Sequence, residues 1–116
     1  MNGYELYTID TPIEEERPLT IEEKIEETFP EKAELMKRVA QCESGMRQFL
    51  DNGEPVQGPT RDFGLFQIHE LSWDAKAQKL NLDYKYSIED NLKMARYIYD
   101  KQGISAWNPS KRCWKD

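Results

Sequence analysis

Apolar residues recur at helical spacing in short segments of this chain, and this pattern limits what the chain can fold into. Pro and Gly separate the segments, and none reaches the roughly 20 consecutive apolar residues that a membrane span needs. Residues 51–62 combine Gly, Pro and Asn-Gly in a pattern that predicts turns or a short hairpin. We expect helices at about 20–29, 31–42, 71–80 and 88–101. The chain is therefore predicted to form a mainly α domain with one short turn or β insert.

Local signals indicate where several of these helices begin and end. Thr20, with Glu23 three residues later, predicts a capping box at the start of the first helix. Pro30 disfavours helix before it and is expected to open the second helix at its first turn. Gly103 is expected to end the fourth helix.

The charged residues are distributed unevenly along the chain. The first 34 of the 116 residues hold 11 acidic and 3 basic side chains, a net charge of −8. The remaining 82 residues hold 11 acidic and 13 basic side chains, a net charge of +2. We interpret residues 1–19 as an acidic flexible arm and residues 20–116 as one compact domain. The overall charge of −6 argues against a nucleic-acid partner, and the mildly basic domain suits a polymer that carries some negative charge.

Glu43 is notable because it places a carboxyl group on an apolar helix face. Met36 and Val39 lie seven and four residues before it, so Glu43 falls at the end of the apolar stripe of the second helix. Burying an unpaired carboxylate is costly, and desolvation raises its pKa. Glu43 is therefore a candidate general acid that can protonate a leaving oxygen near neutral pH. The alternative is an exposed glutamate at a fraying helix end.

The two cysteines, Cys42 and Cys113, lie 71 residues apart. One pair fits either two buried free thiols or one long-range disulfide. We expect the disulfide, which would contribute about 4 kcal/mol through loop closure and implies an oxidising compartment. An exported protein is expected, although the chain begins with neither the basic start nor the apolar stretch of a signal peptide.

Two further stretches follow Glu43 at characteristic intervals. After Cys42-Glu43-Ser44-Gly45 come Asn52-Gly53 and then Phe63-Gly64-Leu65-Phe66-Gln67-Ile68. Together these motifs resemble the lysozyme-like superfamily, and most of all the bacterial lytic transglycosylase domains of the soluble (SLT) type. The resemblance covers roughly residues 30–114, with Phe66 where the transglycosylases usually have Met. It implies a small lysozyme-like helical domain whose insert lines a cleft.

The resemblance also implies roles for individual residues. Glu43 maps onto the catalytic acid, and Gln67 maps onto a glutamine beside the sugar-binding cleft; Ser44 and Phe66 are expected to contact substrate. Asp62 directly precedes the Phe-Gly stretch, as the second carboxylate of animal-type lysozymes precedes an aromatic-Gly pair. It is a second candidate catalytic residue, and its alternative is a turn-forming aspartate beside a glycine.

The C-terminal segment Ile104-Ser105-Ala106-Trp107-Asn108 is also similar to the family. Transglycosylases and goose-type lysozymes carry Ala-Tyr-Asn-Ala-Gly there, so Trp107 replaces the Tyr and lacks its hydroxyl, while Pro109-Ser110 replaces Ala-Gly. Ala106-Trp107 followed by Cys113 instead looks like animal-type lysozymes. We expect Trp107 and Asn108 to bind substrate, with core packing as the alternative for Trp107.

Other kinds of site find little support in the sequence. Ser44 has no His-Asp pair to activate it, which argues against a serine hydrolase. His69 is the only histidine and has no cysteine near it, so we expect no metal. No Gly-rich phosphate loop is present, so we expect no nucleotide cofactor.

These observations favour a monomeric, exported lytic transglycosylase without a cofactor. Its substrate would be the β-1,4 bond between N-acetylmuramic acid (MurNAc) and N-acetylglucosamine (GlcNAc) in the glycan strands of peptidoglycan. Three alternatives stay open. They are a true lysozyme that uses Glu43 and Asp62, a non-catalytic peptidoglycan-binding module, and a structural interaction protein with an acidic arm.

Overall fold

A computed structural model describes residues 17–116 of the chain. It is mainly helical, as predicted, with one small antiparallel sheet. Most of the predicted acidic arm lies outside the described residues. Among the described residues, no helix combines the length and apolar character of a membrane span. The elements, in chain order, are α1 (Ile21–Thr28), α2 (Ala33–Ser44), β1 (Asp62–Phe63), β2 (Ile68–His69), α3 (Glu70–Leu80), α4 (Ile88–Gln102), a 3-10 helix (Gly103–Ser110) and α5 (Lys111–Trp114).

The predicted capping box at the start of α1 is confirmed. The Thr20 hydroxyl accepts a hydrogen bond from the Glu23 N–H at 3.1 Å, and the Glu23 carboxylate accepts one from the Thr20 N–H at 2.9 Å. Arg17 adds two hydrogen bonds of 2.7 Å to the same carboxylate. These bonds, with that of Arg17 the largest cause, lower the pKa of Glu23 to about 2. Arg17, which we assigned to the flexible arm, therefore contacts the domain.

Helix α2 begins and ends later than predicted. Pro30 does not open it, because the Lys32 N–H bonds to the Phe29 carbonyl at 3.0 Å and the chain turns before the helix starts at Ala33. At the other end, Gly45 adopts a φ of 70° and its N–H caps the last carbonyls. The helix therefore runs to Ser44 and includes Glu43 in its last turn.

The core lies between α1, α2, α4 and the 3-10 helix, and its apolar stripes are largely those predicted. Phe66 reaches it from the insert, and its ring packs edge-on against Phe29 and Trp107, with centroids 5.7 and 5.9 Å away. Helix α3 contributes little to this core, because only Ala77 of that helix is buried and Leu80 is 41% exposed. At this core, α2 packs against the 3-10 helix. The buried apolar residues of the core include Ile25, Met36, Val39, Leu92, Met94, Ala95 and Ile98.

The β insert forms further along the chain than its Gly and Pro residues suggested. Residues 51–62 make turns and single bridges, Phe49 with Pro55 and Gln57 with Phe63. The hairpin itself pairs Asp62 with His69 and Phe63 with Ile68. The Gly-Leu-Phe-Gln motif is therefore the turn of the hairpin.

Candidate active site

Asn91 of α4 holds the hairpin turn in place through hydrogen bonds, and its side chain is fully buried. Its Oδ1 accepts a hydrogen bond from the Phe66 N–H at 3.0 Å, and its Nδ2 donates to the carbonyls of Phe63 and Tyr84 at 2.9 Å each. The amide therefore satisfies backbone groups of the turn that would otherwise be buried without partners.

A second buried amide, that of Gln48, supports the same turn. Its Oε1 accepts from the Leu65 N–H at 2.8 Å. Gly64, between the two amides, has a φ of +83°, and a Cβ there would lie 2.3 Å from Asn91 Nδ2 and 2.5 Å from Gln48 Nε2. Only glycine fits this position. Neither amide was predicted from the sequence; for Asn91, the available signal was a polar residue beside the apolar stripe of α4.

A cleft of about 530 Å³ opens between the end of α2, the hairpin, the first turn of α3 and the segment where α4 meets the 3-10 helix. Five of the seven predicted catalytic and substrate-binding residues line it, and they come from three separate stretches of the chain, the end of α2, the hairpin and the 3-10 helix. The fold therefore brings together most of the residues that the motifs indicated. The five are Glu43, Asp62, Phe66, Gln67 and Trp107.

Glu43 is half-buried in the wall of this cleft. Burial raises the pKa of its carboxyl, and the negative charge of Asp62 raises it further. The Ser110 hydroxyl donates a hydrogen bond to Oε2 at 2.5 Å, which acts in the opposite direction. The net effect is a raised pKa, so this carboxyl keeps its proton to a higher pH than an exposed glutamate does.

Asp62 is a strand residue of β1 and not the turn-forming aspartate considered as an alternative. Its Oδ1 lies 2.9 Å from Nδ1 of His69, its partner across the hairpin. Its Oδ2 accepts a hydrogen bond from the Thr60 hydroxyl. The cleft therefore holds a second carboxyl with both oxygens engaged. Thr60 and His69 also line the cleft, although the sequence did not indicate that either residue belongs to it.

Gln67 is fixed in one orientation at the cleft wall. Its backbone is left-handed, with a φ of 51°. Its side-chain Nε2 donates to the carbonyls of Val56 and Gly64, both at 3.1 Å, which leaves Oε1 as an acceptor. Gly58 gives that oxygen room, since a Cβ there would lie 2.4 Å from it. The arrangement offers a rigid hydrogen-bond acceptor to a bound ligand.

Two predicted substrate-binding residues do not line the cleft. The Ser44 hydroxyl donates to the Ala40 carbonyl at 3.1 Å and accepts from the Arg47 N–H at 3.1 Å, so it serves the end of α2. Asn108 is exposed on the 3-10 helix, between the cleft-lining residues Trp107 and Pro109. Substrate contact by Ser44 or Asn108 stays a prediction.

Phe66 and Trp107 lie beneath the cleft as parts of the core. Phe66 is fully buried and Trp107 is 5% exposed. The Trp107 indole donates to the Phe66 carbonyl at 3.0 Å, which joins the 3-10 helix to the hairpin turn. Phe66 and Trp107 are therefore core residues that also line the cleft, and substrate contact by either one stays a prediction.

The predicted disulfide between Cys42 and Cys113 is present. The two Cα atoms lie 5.9 Å apart, and the bond joins α2 to α5. Cys42 directly precedes Glu43, and Cys113 follows Ser110 by three residues. The disulfide therefore ties the end of α2, which carries Glu43, to the short helix that follows Ser110. It is also consistent with an exported protein.

Within residues 17–116, no three His, Cys, Asp or Glu side chains cluster in a way that could hold a metal ion. The polar side chains that line the cleft are those of Glu43, Asp62, Gln67, His69 and Gln102, with the hydroxyls of Thr60 and Ser72 beside them. Comparison of the chain with family models, curated proteins and solved structures gives no match in any of the three.

Proposed function

We propose that this chain is a peptidoglycan-cleaving lytic transglycosylase that cuts the MurNAc-β-1,4-GlcNAc bond with Glu43 as its general acid and base. The observation that carries the proposal is the half-buried carboxyl of Glu43 in the cleft, with its raised pKa. Such a carboxyl keeps its proton, and so can give it to a leaving oxygen, up to a higher pH than an exposed glutamate does. The resemblance of the Glu-Ser-Gly and Gly-Leu-Phe-Gln motifs to transglycosylases supports the choice of substrate.

The reaction needs one proton donor that later becomes a base. Glu43 gives its proton to the bridging oxygen as the bond from that oxygen to C1 of MurNAc breaks, and positive charge develops at C1. The Glu43 carboxylate then takes the proton of the MurNAc 6-hydroxyl while that oxygen bonds to C1. The product is a 1,6-anhydro ring, Glu43 is protonated again, and no water is consumed.

The surroundings of Asp62 favour this route over attack by the carboxylate. Both Asp62 oxygens interact with neighbours, Oδ1 with His69 and Oδ2 with Thr60. Hydrogen bonds to a carboxylate stabilise its charge and reduce its tendency to form a bond to carbon. Asp62 then stabilises the positive charge at C1 through space, and the 6-hydroxyl of the substrate completes the reaction.

A true lysozyme is the second candidate function. The specific observation that favours it is the second carboxyl in the cleft, close enough for its charge to raise the pKa of Glu43. Two carboxyl groups flanking a glycosidic bond allow water to complete the reaction. In that case Asp62 would be essential, and the products would have reducing ends.

The same proposal includes the setting in which the enzyme works. The disulfide requires oxidising conditions, so we propose that the protein is exported and meets the glycan strands outside the cytoplasm. One cleft formed by one chain supports action as a monomer.

The test of the proposal is the release of soluble fragments from purified peptidoglycan. Glu43→Gln keeps the shape of the side chain and removes its transferable proton, so we expect release to fall at least about 100-fold. Glu27→Gln, at an exposed position on α1, is the matched control and should behave like the parent protein. Near-parental release by Glu43→Gln would contradict the proposal. Binding without release by the parent protein would indicate a binding module instead.

A further inference from the structure

The hydroxyl of Ser110 lies between the candidate acid and a buried tryptophan. Ser110 Oγ donates to Oε2 of Glu43 at 2.5 Å. On its other side, Nε1 of Trp114 donates to Ser110 Oγ at 3.0 Å. Trp114 is 4% exposed, so its indole is held by the core and has little freedom to move. The Trp114 N–H therefore holds the Ser110 hydroxyl in place beside Glu43.

The indole also determines where the hydroxyl hydrogen points. A serine has one hydrogen to donate, and Ser110 Oγ has two acceptors in reach, Glu43 Oε2 and the Trp107 carbonyl at 3.1 Å. The Trp114 N–H also approaches the Trp107 carbonyl, at 3.2 Å, and so competes for it. When Glu43 is ionised, its carboxylate is the stronger acceptor because it is charged. The Ser110 hydrogen is therefore directed to Glu43.

Two further links keep Ser110 and Glu43 together. The disulfide joins Cys42, next to Glu43, to Cys113, which lies between Ser110 and Trp114 in the chain. Arg38 of α2 donates from Nε to the Trp114 carbonyl at 3.1 Å. The short helix α5 is therefore fastened to α2 by a covalent bond and by a hydrogen bond.

We propose that Ser110, held by the Trp114 indole, is a positioning residue that orients the Glu43 carboxyl and controls how readily it gives up and regains its proton. It binds Oε2, which leaves Oε1 to carry the transferable proton. After transfer, the same hydrogen bond stabilises the carboxylate that must act as the base. This inference rests on the proposed function, since it matters for catalysis only if Glu43 is the acid.

The proposal has a defined consequence for the pH dependence. Ser110 opposes the effect of burial on the pKa of Glu43, so removing its hydroxyl should raise that pKa further. The other titratable groups that line the cleft are Asp62 on β1 and His69 on β2. The cleft-lining residues of α3, α4 and the 3-10 helix do not titrate; they are Ser72, Trp73, Ile98, Gln102, Ala106, Trp107 and Pro109.

The experiment compares Ser110→Ala, Ser110→Thr and Trp114→Phe in kcat, KM and the pH profile of kcat/KM on glycan strands. Ser110→Ala should lower kcat about tenfold, the value of one hydrogen bond, leave KM unchanged, and move the alkaline limb to higher pH. Ser110→Thr keeps a hydroxyl and should have the kcat and the alkaline limb of the parent protein. Trp114→Phe keeps a ring but loses the N–H. It should move the alkaline limb to higher pH by less than Ser110→Ala does.

Titration of the Glu43 carboxyl by NMR separates this inference from the proposed function. The signal is assigned by its loss in Glu43→Gln, and its pKa should be higher in Ser110→Ala and Trp114→Phe than in the parent protein. An inactive parent protein with this shift would overturn the proposed function and retain the Ser110–Glu43 coupling. Parental pH profiles and parental Glu43 titration in folded Ser110→Ala, or in Trp114→Phe if Ser110→Ala does not fold, would overturn the positioning role.

Discussion

Glu43 combines two environments that act against each other. Its position in the last turn of α2, against the core, removes water from the carboxyl and raises its pKa. Ser110 supplies one hydrogen bond that favours the charged form. A group that must first donate a proton and then accept one needs both conditions, because either one alone would stabilise a single protonation state.

The raised pKa of Glu43 also predicts how stability depends on pH. An acid whose pKa is higher in the folded state than its ordinary value of 4.5 destabilises the fold above the folded-state pKa, where both states are ionised. Glu43→Gln should therefore be more stable than the parent protein at neutral pH. The advantage should vanish below about pH 4, where the carboxyl is protonated in both states. Urea unfolding at the two pH values measures it, and an advantage that does not change with pH would contradict the burial argument.

Asp62 distinguishes the two reactions at the scale of a single residue. Asp62→Asn keeps the shape and can still accept a hydrogen bond from Thr60. Because the substrate's own 6-hydroxyl completes the transglycosylase reaction, we expect fragment release to fall about tenfold or less. A loss as large as that of Glu43→Gln would show that Asp62 is essential and would favour the lysozyme.

At the scale of elements, the hairpin depends on a glycine that the two buried amides surround. Gly64→Ala would place a methyl group 2.3 Å from the Asn91 amide, so we expect the free energy of unfolding to fall by more than about 2 kcal/mol. Gly53→Ala is the matched control, because Gly53 has a similar φ of +87° and nothing within 4 Å. It should cost about 1 kcal/mol from backbone strain alone. Equal losses in the two variants would contradict the role of the amides.

The disulfide joins α2, which carries Glu43, to α5, which follows Ser110. It closes a loop of 71 residues, and its removal in the Cys42→Ala, Cys113→Ala double variant should lower the free energy of unfolding by about 4 kcal/mol. That is a large share of the 5–15 kcal/mol typical of a domain. Denaturant unfolding of the oxidised protein and the variant measures the difference, and a loss below about 1 kcal/mol would show that the bond adds little.

Helices and their caps were predictable because neighbours in the sequence determine them. Thr20 and Glu23 lie three residues apart, and the apolar stripes repeat within single helices. The turns expected at residues 51–62 are present, but the hairpin itself follows them, and its position depends on Asn91, whose partner Phe66 is 25 residues away. The amide contacts, and not the local turn residues, decide where the strands pair.

The residues of the candidate site that lie in sequence motifs were predictable. Those that join the site through contacts between distant parts of the chain were not. Glu43, Asp62 and Gln67 were identified from their motifs, and all three line the cleft. The Ser110 hydroxyl bonds to Glu43 across 67 residues of sequence, so no local pattern indicated it. Trp107 was known to lack the hydroxyl of the tyrosine that the family carries at this position. Ser110, three residues later, was not considered as another source of a hydroxyl for Glu43.

For the whole molecule, the core, the disulfide and the cleft depend on one another. Phe66 and Trp107 join the hairpin to the 3-10 helix, and Cys42–Cys113 joins that region to α2. The walls that carry Glu43 and Asp62 are therefore held by the same packing that stabilises the domain. A change in one wall should move the candidate acid relative to the other carboxyl.

Mass spectrometry of the fragments released from purified peptidoglycan distinguishes the transglycosylase from the lysozyme and from a protein without activity. We predict that the parent protein yields fragments ending in 1,6-anhydroMurNAc, because the 6-hydroxyl and not water bonds to C1. Glu43→Gln should yield almost none, which ties the products to this cleft. Fragments with only reducing ends would contradict the transglycosylase, and the absence of any fragments from the parent protein would contradict the enzyme itself.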